Sequence, residues 1–140
     1  VMAAAVADFT PVEVAPDKIK KRDGAPRLEL APTEDILLAL GSGKPAGQVL
    51  VGFAAETSDV IANGMAKLEA KNADLLVAND VGAPGVGFEH DTNEVLILSA
   101  GGERHVPLTD KASVAGEILN AVMEIRSGVV AGTEKRTERS

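Results

Sequence analysis

The chain has 140 residues, 45% of them hydrophobic, with no Cys, two His and three aromatic residues, all Phe. Fourteen Lys and Arg against 21 Asp and Glu leave a formal charge of −7, which argues against a general nucleic-acid or membrane-surface binder. Without Cys there is no disulfide framework, thiol nucleophile or Cys-ligated zinc. No apolar run nears the roughly 20 residues that cross a bilayer. The expectation is one soluble, cytoplasmic domain with an aliphatic core.

Val1 to Ala7 reads as a strand that starts inside an apolar run. No glycine-rich first turn precedes it, and the expectation is an N-terminally truncated piece of a larger domain. Ala3, Ala4 and Ala5 are small enough for a ligand to approach the backbone, or they are packing filler. Asp8, in the Asp8-Phe9-Thr10-Pro11 segment that ends the strand, is a turn former or a ligand-edge carboxylate. Ala15 to Gly24 is the one locally basic stretch, with Lys18, Lys20, Lys21 and Arg22 cationic within five residues. It is either a solvated loop or an ordered cationic loop suited to a polyphosphate, stiffened by Pro16 and anchored by Ile19.

Arg27 to Leu30 alternates polar and apolar, as in a half-buried strand. Pro32-Thr33-Glu34-Asp35 opens a helix, with Thr33 as cap and the acids at the positive end of the dipole. Ile36, Leu37, Leu38 and Leu40 are expected to bury it. Gly41-Ser42-Gly43-Lys44-Pro45 ends it and is a turn, since a phosphate-binding P-loop needs Ser or Thr after the Lys.

Val49 to Asp80 reads as strand, helix, strand. Val49 to Phe53 and Leu75 to Ala78 are short apolar runs suited to a buried parallel sheet. Glu56-Thr57-Ser58-Asp59 starts a helix through a Thr or Ser cap. Val60, Ile61, Gly64, Met65 and Leu68 form its apolar stripe. A βαβ unit places both strands in one sheet, and ligands bind beyond their carboxyl ends; here that edge holds Phe53 to Thr57 and Asn79-Asp80. Lys67 and Lys71, four residues apart, share one side of the helix. Their stems cover the core edge with heads in water, or they join the ligand edge.

Val81 to Phe88 is a Gly- and Pro-rich loop without GxGxxG spacing. Thr92 to Leu98 and Glu103 to Pro107 form a hairpin turned at Ala100-Gly101-Gly102. His90 and His105 stand apart and read as exposed polarity. Thr109 or Asp110 caps a last helix that buries Val114, Ile118, Leu119 and Val122, and residues 127–140 form a polar, flexible tail after a domain spanning 1–126. The whole is an α/β, Rossmann-like, doubly wound and mostly parallel sheet with a C-terminal β-hairpin and helix.

Four segments occur in an order and spacing that resembles the bacterial phosphopantothenoylcysteine synthetase domain over roughly residues 1 to 125. They are Ala4 to Phe9, Ala15 to Lys21, Gly52 to Thr57 and Ala78 to Val81. That domain is usually the C-terminal half of a bifunctional coenzyme A biosynthesis protein; its earlier glycine-rich and Ser-Ser-Gly segments have no counterpart here. The resemblance implies a ligase. CTP activates the carboxylate of 4′-phosphopantothenate as an acyl-cytidylate, and the amine of L-cysteine displaces CMP. It implies that Lys18 stabilises the transition state, that Lys67 and Lys71 contact CTP, and that Met2, Ala3, Ala4 and Asp8 line the nucleotide site. Glu34, Asp35, Ile36 and Leu37 would add donors near base or sugar, through their backbone because Pro-Thr-Glu-Asp departs from the common Asn-Pro-Asp. Phe53 would offer a face to cytosine. Magnesium on the triphosphate, a homodimer, and FMN confined to a separate decarboxylase domain complete what the family implies. A non-catalytic nucleotide-binding module remains the alternative. A nicotinamide-dependent reductase is disfavoured, since the chain has no Tyr for the usual Tyr-Lys pair.

Overall fold

The computed structural model describes residues 1–4, 6–20, 24, 26–56, 58–80 and 91–128. Its elements run β1 (Phe9–Pro11), β2 (Leu30–Pro32), α1 (Ile36–Ser42), β3 (Val51–Glu56), α2 (Val60–Ala70), β4 (Leu75–Asp80), β5 (Thr92–Ser99), β6 (Gly102–Asp110) and α3 (Lys111–Arg126). They fall into two units, residues 4–36 and the remainder, each described by itself below.

In the larger unit the described strands form one sheet in the order β3-β4-β5-β6. β3 and β4 are parallel, from Val51 opposite Leu75 to Glu56 opposite Asp80. The strands β4, β5 and β6 pair antiparallel in turn. The α/β class and the C-terminal hairpin and helix are as expected. Over these strands, however, the sheet is mixed where a mostly parallel one was expected. The reason is the turn at Ala100-Gly101: a two-residue connection can only reverse the chain, whereas a parallel return needs a crossover. Gly102, with φ of 124°, takes the backbone conformation this turn needs.

Side-chain alternation along β4 builds both layers of core. Leu75 and Val77 face one side with Val51, Val95, Ile97 and Val106, covered by Val114, Ile118 and Ala121 of α3. Leu76 and Ala78 face the other with Ala54 and Leu98, covered by Leu68 of α2, with Leu37, Val60 and Met65 packed alongside. Helices on both faces make the arrangement doubly wound, and the two-sided burial explains why Leu75 to Ala78 is apolar at every position. Each buried Leu, Ile or Val among them contributes about 1.5–3 kcal/mol when withdrawn from water.

Several expectations for the helices are corrected. The α3 stripe is Val114, Ile118 and Ala121, with Val122 and Ile125 beside it; Leu119 is 56% exposed, since it lies ~100° around the helix from Ile118. In α1, Ile36, Leu38 and Leu40 are exposed, while Leu37 packs and Gly41 is buried. Ile61 of α2 also faces water. The N-cap of α2 is Asp59, in the left-handed region with φ of 46° and without a side-chain cap bond; Thr57, expected as a cap, lies outside the described residues. At the other end Asn72, φ 48°, takes the left-handed position. Its N–H donates to Glu69 and that of Ala73 to Leu68, the two bonds of a Schellman ending. Asp110 caps α3 by accepting from the Ser113 N–H and hydroxyl. Of the expected tail, 129–140 lie outside the described residues.

In the smaller unit, β1 and β2 form an antiparallel ribbon from Phe9 opposite Pro32 to Pro11 opposite Leu30. This replaces the expected strand at Val1 to Ala7, where no strand forms among the described residues. Alanine side chains offer little cross-strand packing. The half-buried strand expected at Arg27 to Leu30 is displaced to Leu30–Pro32, and Leu28 and Leu30 are exposed. Thr33 does not cap a helix: its N–H donates to the Asp8 carbonyl and its hydroxyl to that of Ala7. Glu34 and Asp35 precede α1, which has no acid in its first turn.

Candidate functional site

The carboxyl ends of β3 and β4 lie side by side, with Ala55 opposite Asn79 and Glu56 opposite Asp80. From the last position of β3 the Glu56 carboxylate receives the Lys67 ammonium of α2 at 2.5 Å. The chain turns back after β3, so α2 begins near this rim, and a helical side chain leans toward its own N-terminus. Lys67 therefore reaches back to the strand end from two turns inside the helix. The Glu56 side chain is 12% exposed and that of Lys67 50%: the acceptor is enclosed while the cation faces water. Phe53 stands on the opposite face of β3, the one it shares with Val51, and is 42% exposed.

The amino ends of the same strands carry a second Lys–carboxylate pair with a different character. Lys44 donates to both oxygens of Asp74 at 3.0 and 2.9 Å and to the Asn72 carbonyl at 2.9 Å. Asp74 also accepts from the Leu50 N–H at 2.7 Å, and the Asn72 amide donates to the Gly41 carbonyl at 2.8 Å. One cluster thus ties the end of α1, the end of α2 and the start of β3. The backbone of Lys71, the C-cap of α2, reaches this end: a Cβ on Gly41 would lie 1.8 Å from its carbonyl oxygen. Sequence reasoning treated Lys44 as part of a turn and Glu56 as helix-start chemistry, so both pairs were missed. The available signal was spacing, namely a carboxylate closing a strand with a Lys in the third turn of the helix that follows.

The expected site residues divide between the units. Met2, Ala3, Leu37, Phe53, Lys67 and Lys71 belong to the larger one. There the Met2 N–H donates to the Val51 carbonyl at 2.9 Å, and Leu37 packs over Gly52, where a Cβ would lie 2.6 Å from its Cδ2. Ala4, Asp8, Lys18, Glu34, Asp35 and Ile36 belong to the smaller one and are exposed. Lys18 and Lys20 of the basic stretch are exposed; Lys21, Arg22 and Asp23 lie outside the described residues, as do Ala5, Val81 to Phe88 and His90.

Two other polar clusters lie on the larger unit. Arg104 donates to Glu124 at 2.5 Å and approaches Glu117 at 4.0 Å beside a shallow hollow on α3. His105 and Glu94 meet at 2.6 Å across the β5–β6 ribbon, and both are exposed enough that the contact is a surface pair. Among the described residues no group of three or more His, Asp or Glu could hold a metal ion, and no helix is long and apolar enough to cross a membrane.

Comparison with known proteins agrees with this architecture. The coenzyme A biosynthesis bifunctional protein CoaBC of Bacillus subtilis is 51% identical over 123 residues, covering 87% of this chain and 30% of that protein. A cysteine/cysteine sulfinic acid decarboxylase from an unknown prokaryote is 42% identical over 126 residues, covering 89% of this chain and 35% of that one. The chain thus spans about a third of the length of the curated relatives it matches. Among solved structures, the C-terminal domain of a coenzyme A biosynthesis bifunctional protein CoaBC superposes with a TM-score of 0.66 at 36% identity, covering 89% of this chain and 53% of that one. Residues 1–125 match the family model described as the DNA/pantothenate metabolism flavoprotein C-terminal domain. With nine-tenths of its length inside that model and the same mixed sheet between helices, the chain belongs to this family.

Proposed function

We propose that the chain is the nucleotide-handling part of a CTP-dependent ligase that joins 4′-phosphopantothenate to L-cysteine in coenzyme A biosynthesis. The observation that carries this reading is the 51% identity over 123 residues to a coenzyme A biosynthesis protein. The geometry supports it: a half-exposed ammonium stands at the carboxyl end of a parallel strand, where sheets of this class receive ligands.

In the proposed reaction a carboxylate oxygen of phosphopantothenate attacks the α-phosphorus of CTP and pyrophosphate leaves. The cysteine amine then attacks the acyl carbon of the acyl-cytidylate, and CMP leaves with the bonding pair. An anion attacking a phosphoryl group needs cations to neutralise the charge that builds up. Lys18 is assigned that role, and Lys67 and Lys71 are assigned contacts with CTP. Asp8 and the backbone of Met2, Ala3 and Ala4 line the nucleotide site, as does the backbone of Glu34, Asp35, Ile36 and Leu37; Phe53 meets the base. Magnesium arrives on the triphosphate, held by phosphate oxygens and water. The intact protein is a cytoplasmic homodimer in this reading, with FMN in a separate decarboxylase domain.

The test is pyrophosphate release by the intact protein. Release that requires both CTP and phosphopantothenate is expected, with Lys18→Ala lowering kcat at least about tenfold, roughly 1.4 kcal/mol of barrier. A near-normal rate in that variant removes Lys18 from its role. A single-turnover experiment that yields no acyl-cytidylate leaves only a nucleotide-binding module.

A further inference from the structure

We propose that Glu56 is a positioning residue: its carboxylate sets where the Lys67 ammonium stands to receive the triphosphate. The inference rests on the ligase reading and extends it to a residue that does not itself meet the nucleotide.

The backbone of Glu56 is held by its pairing with β4 opposite Asp80. Its side chain is largely enclosed, and the bond to Lys67 Nζ measures 2.5 Å. The other side of the pair is held by packing: a Cβ on Gly64 of α2 would lie 2.3 Å from Leu98 Cδ1, so helix and sheet touch closely one turn before Lys67. A carboxylate is a poor direct ligand for a triphosphate, because like charges repel. Its use lies in the lysine. A free lysine samples many rotamers and loses that freedom when it grips an anion; one tethered at a strand end has lost it beforehand. An ammonium carries three N–H donors, so with one bond, to Glu56, among the described residues it keeps donor capacity for phosphate. The Lys44–Asp74 pair is the internal contrast: there the ammonium divides its donors among three oxygens.

The experiment uses the full-length protein with CTP varied and the other substrates saturating. Glu56→Gln is expected to raise KM for CTP about tenfold while lowering kcat less than about threefold. Lys67→Ala is expected to do the same. Because Glu56 acts through Lys67, the double variant should be no weaker than Lys67→Ala alone, and Glu56→Asp, which keeps the charge on a shorter arm, should recover part of the loss. An unchanged KM, additive losses in the double variant, or a kcat loss as large as the KM change overturns the proposal. So does a Glu56→Gln protein that does not fold, which would assign Glu56 to the scaffold. An active wild type in any of these cases sinks only the role of Glu56, whereas a wild type that neither binds nor consumes CTP overturns the ligase reading with it.

Discussion

The two ends of the β3–α2–β4 unit each carry a lysine paired with a carboxylate and put the pair to opposite uses. At the amino end, Lys44 and Asp74 are 15% and 26% exposed and spend their hydrogen-bonding capacity on each other and on two backbone groups, the Asn72 carbonyl and the Leu50 N–H. At the carboxyl end, Lys67 is half exposed and meets Glu56 through a single oxygen. An ion pair that also satisfies backbone groups is costly to break, because its removal strands buried donors and acceptors. One whose cation faces water adds little to stability and can exchange its partner for a ligand. The chemistry of the residues is the same at both ends; what separates scaffold from site is how many other groups depend on each pair.

Variants can break or sharpen this contrast. The largest loss is expected at the amino end from Gly41→Ala. Alanine is ordinarily the better helix former, yet here its methyl would sit 1.8 Å from a backbone oxygen of Lys71. Parting α1 from α2 should cost about 3 kcal/mol in urea unfolding, and an unchanged midpoint would show that the two helix ends do not touch. Asp74→Ala should come next, at about 2 kcal/mol, because the Leu50 N–H and the Lys44 ammonium both lose an acceptor. Asp110→Ala, on β6 at the opposite side of the sheet from β3, tests ordinary capping with a smaller fall in melting temperature. The Ser113 hydroxyl and then its N–H hold the Asp110 carboxyl below its usual 3.8. The native pKa is thus the lower one, so the stabilisation is present above the unfolded value and fades as pH falls through the native value. The difference between wild type and Asp110→Ala should therefore shrink on acidification below pH 3.8; a difference that grows would reverse the assignment. Glu56→Gln should change stability least, by less than about 1 kcal/mol. A loss there as large as that of Asp74→Ala would erase the distinction between the ends.

Where one local signal decided the structure, the sequence was enough. Leu75 to Ala78 had to be buried on both faces, and Ala100-Gly101-Gly102 had to turn. Errors arose where two signals competed. Val1 to Ala7 is apolar but rich in alanines that pack poorly across strands, and the ribbon formed instead at Phe9–Pro11, whose Pro argues against a strand taken alone. Leu119 and Leu40 were assigned to cores that the helix rotation turns away from. The Lys67 position was legible from helical spacing, and spacing also offered Glu56 as a partner, but whether a strand end and the third turn of the next helix meet depends on how closely the two pack.

That closeness rests on one missing methyl group. Gly64 lets α2 settle against Leu98, and the ammonium almost a full turn further on inherits the depth of that seat. An alanine at position 64 would act as a shim, lifting the helix by a fraction of an ångström and carrying the charge away from the strand end without altering any group that meets the nucleotide.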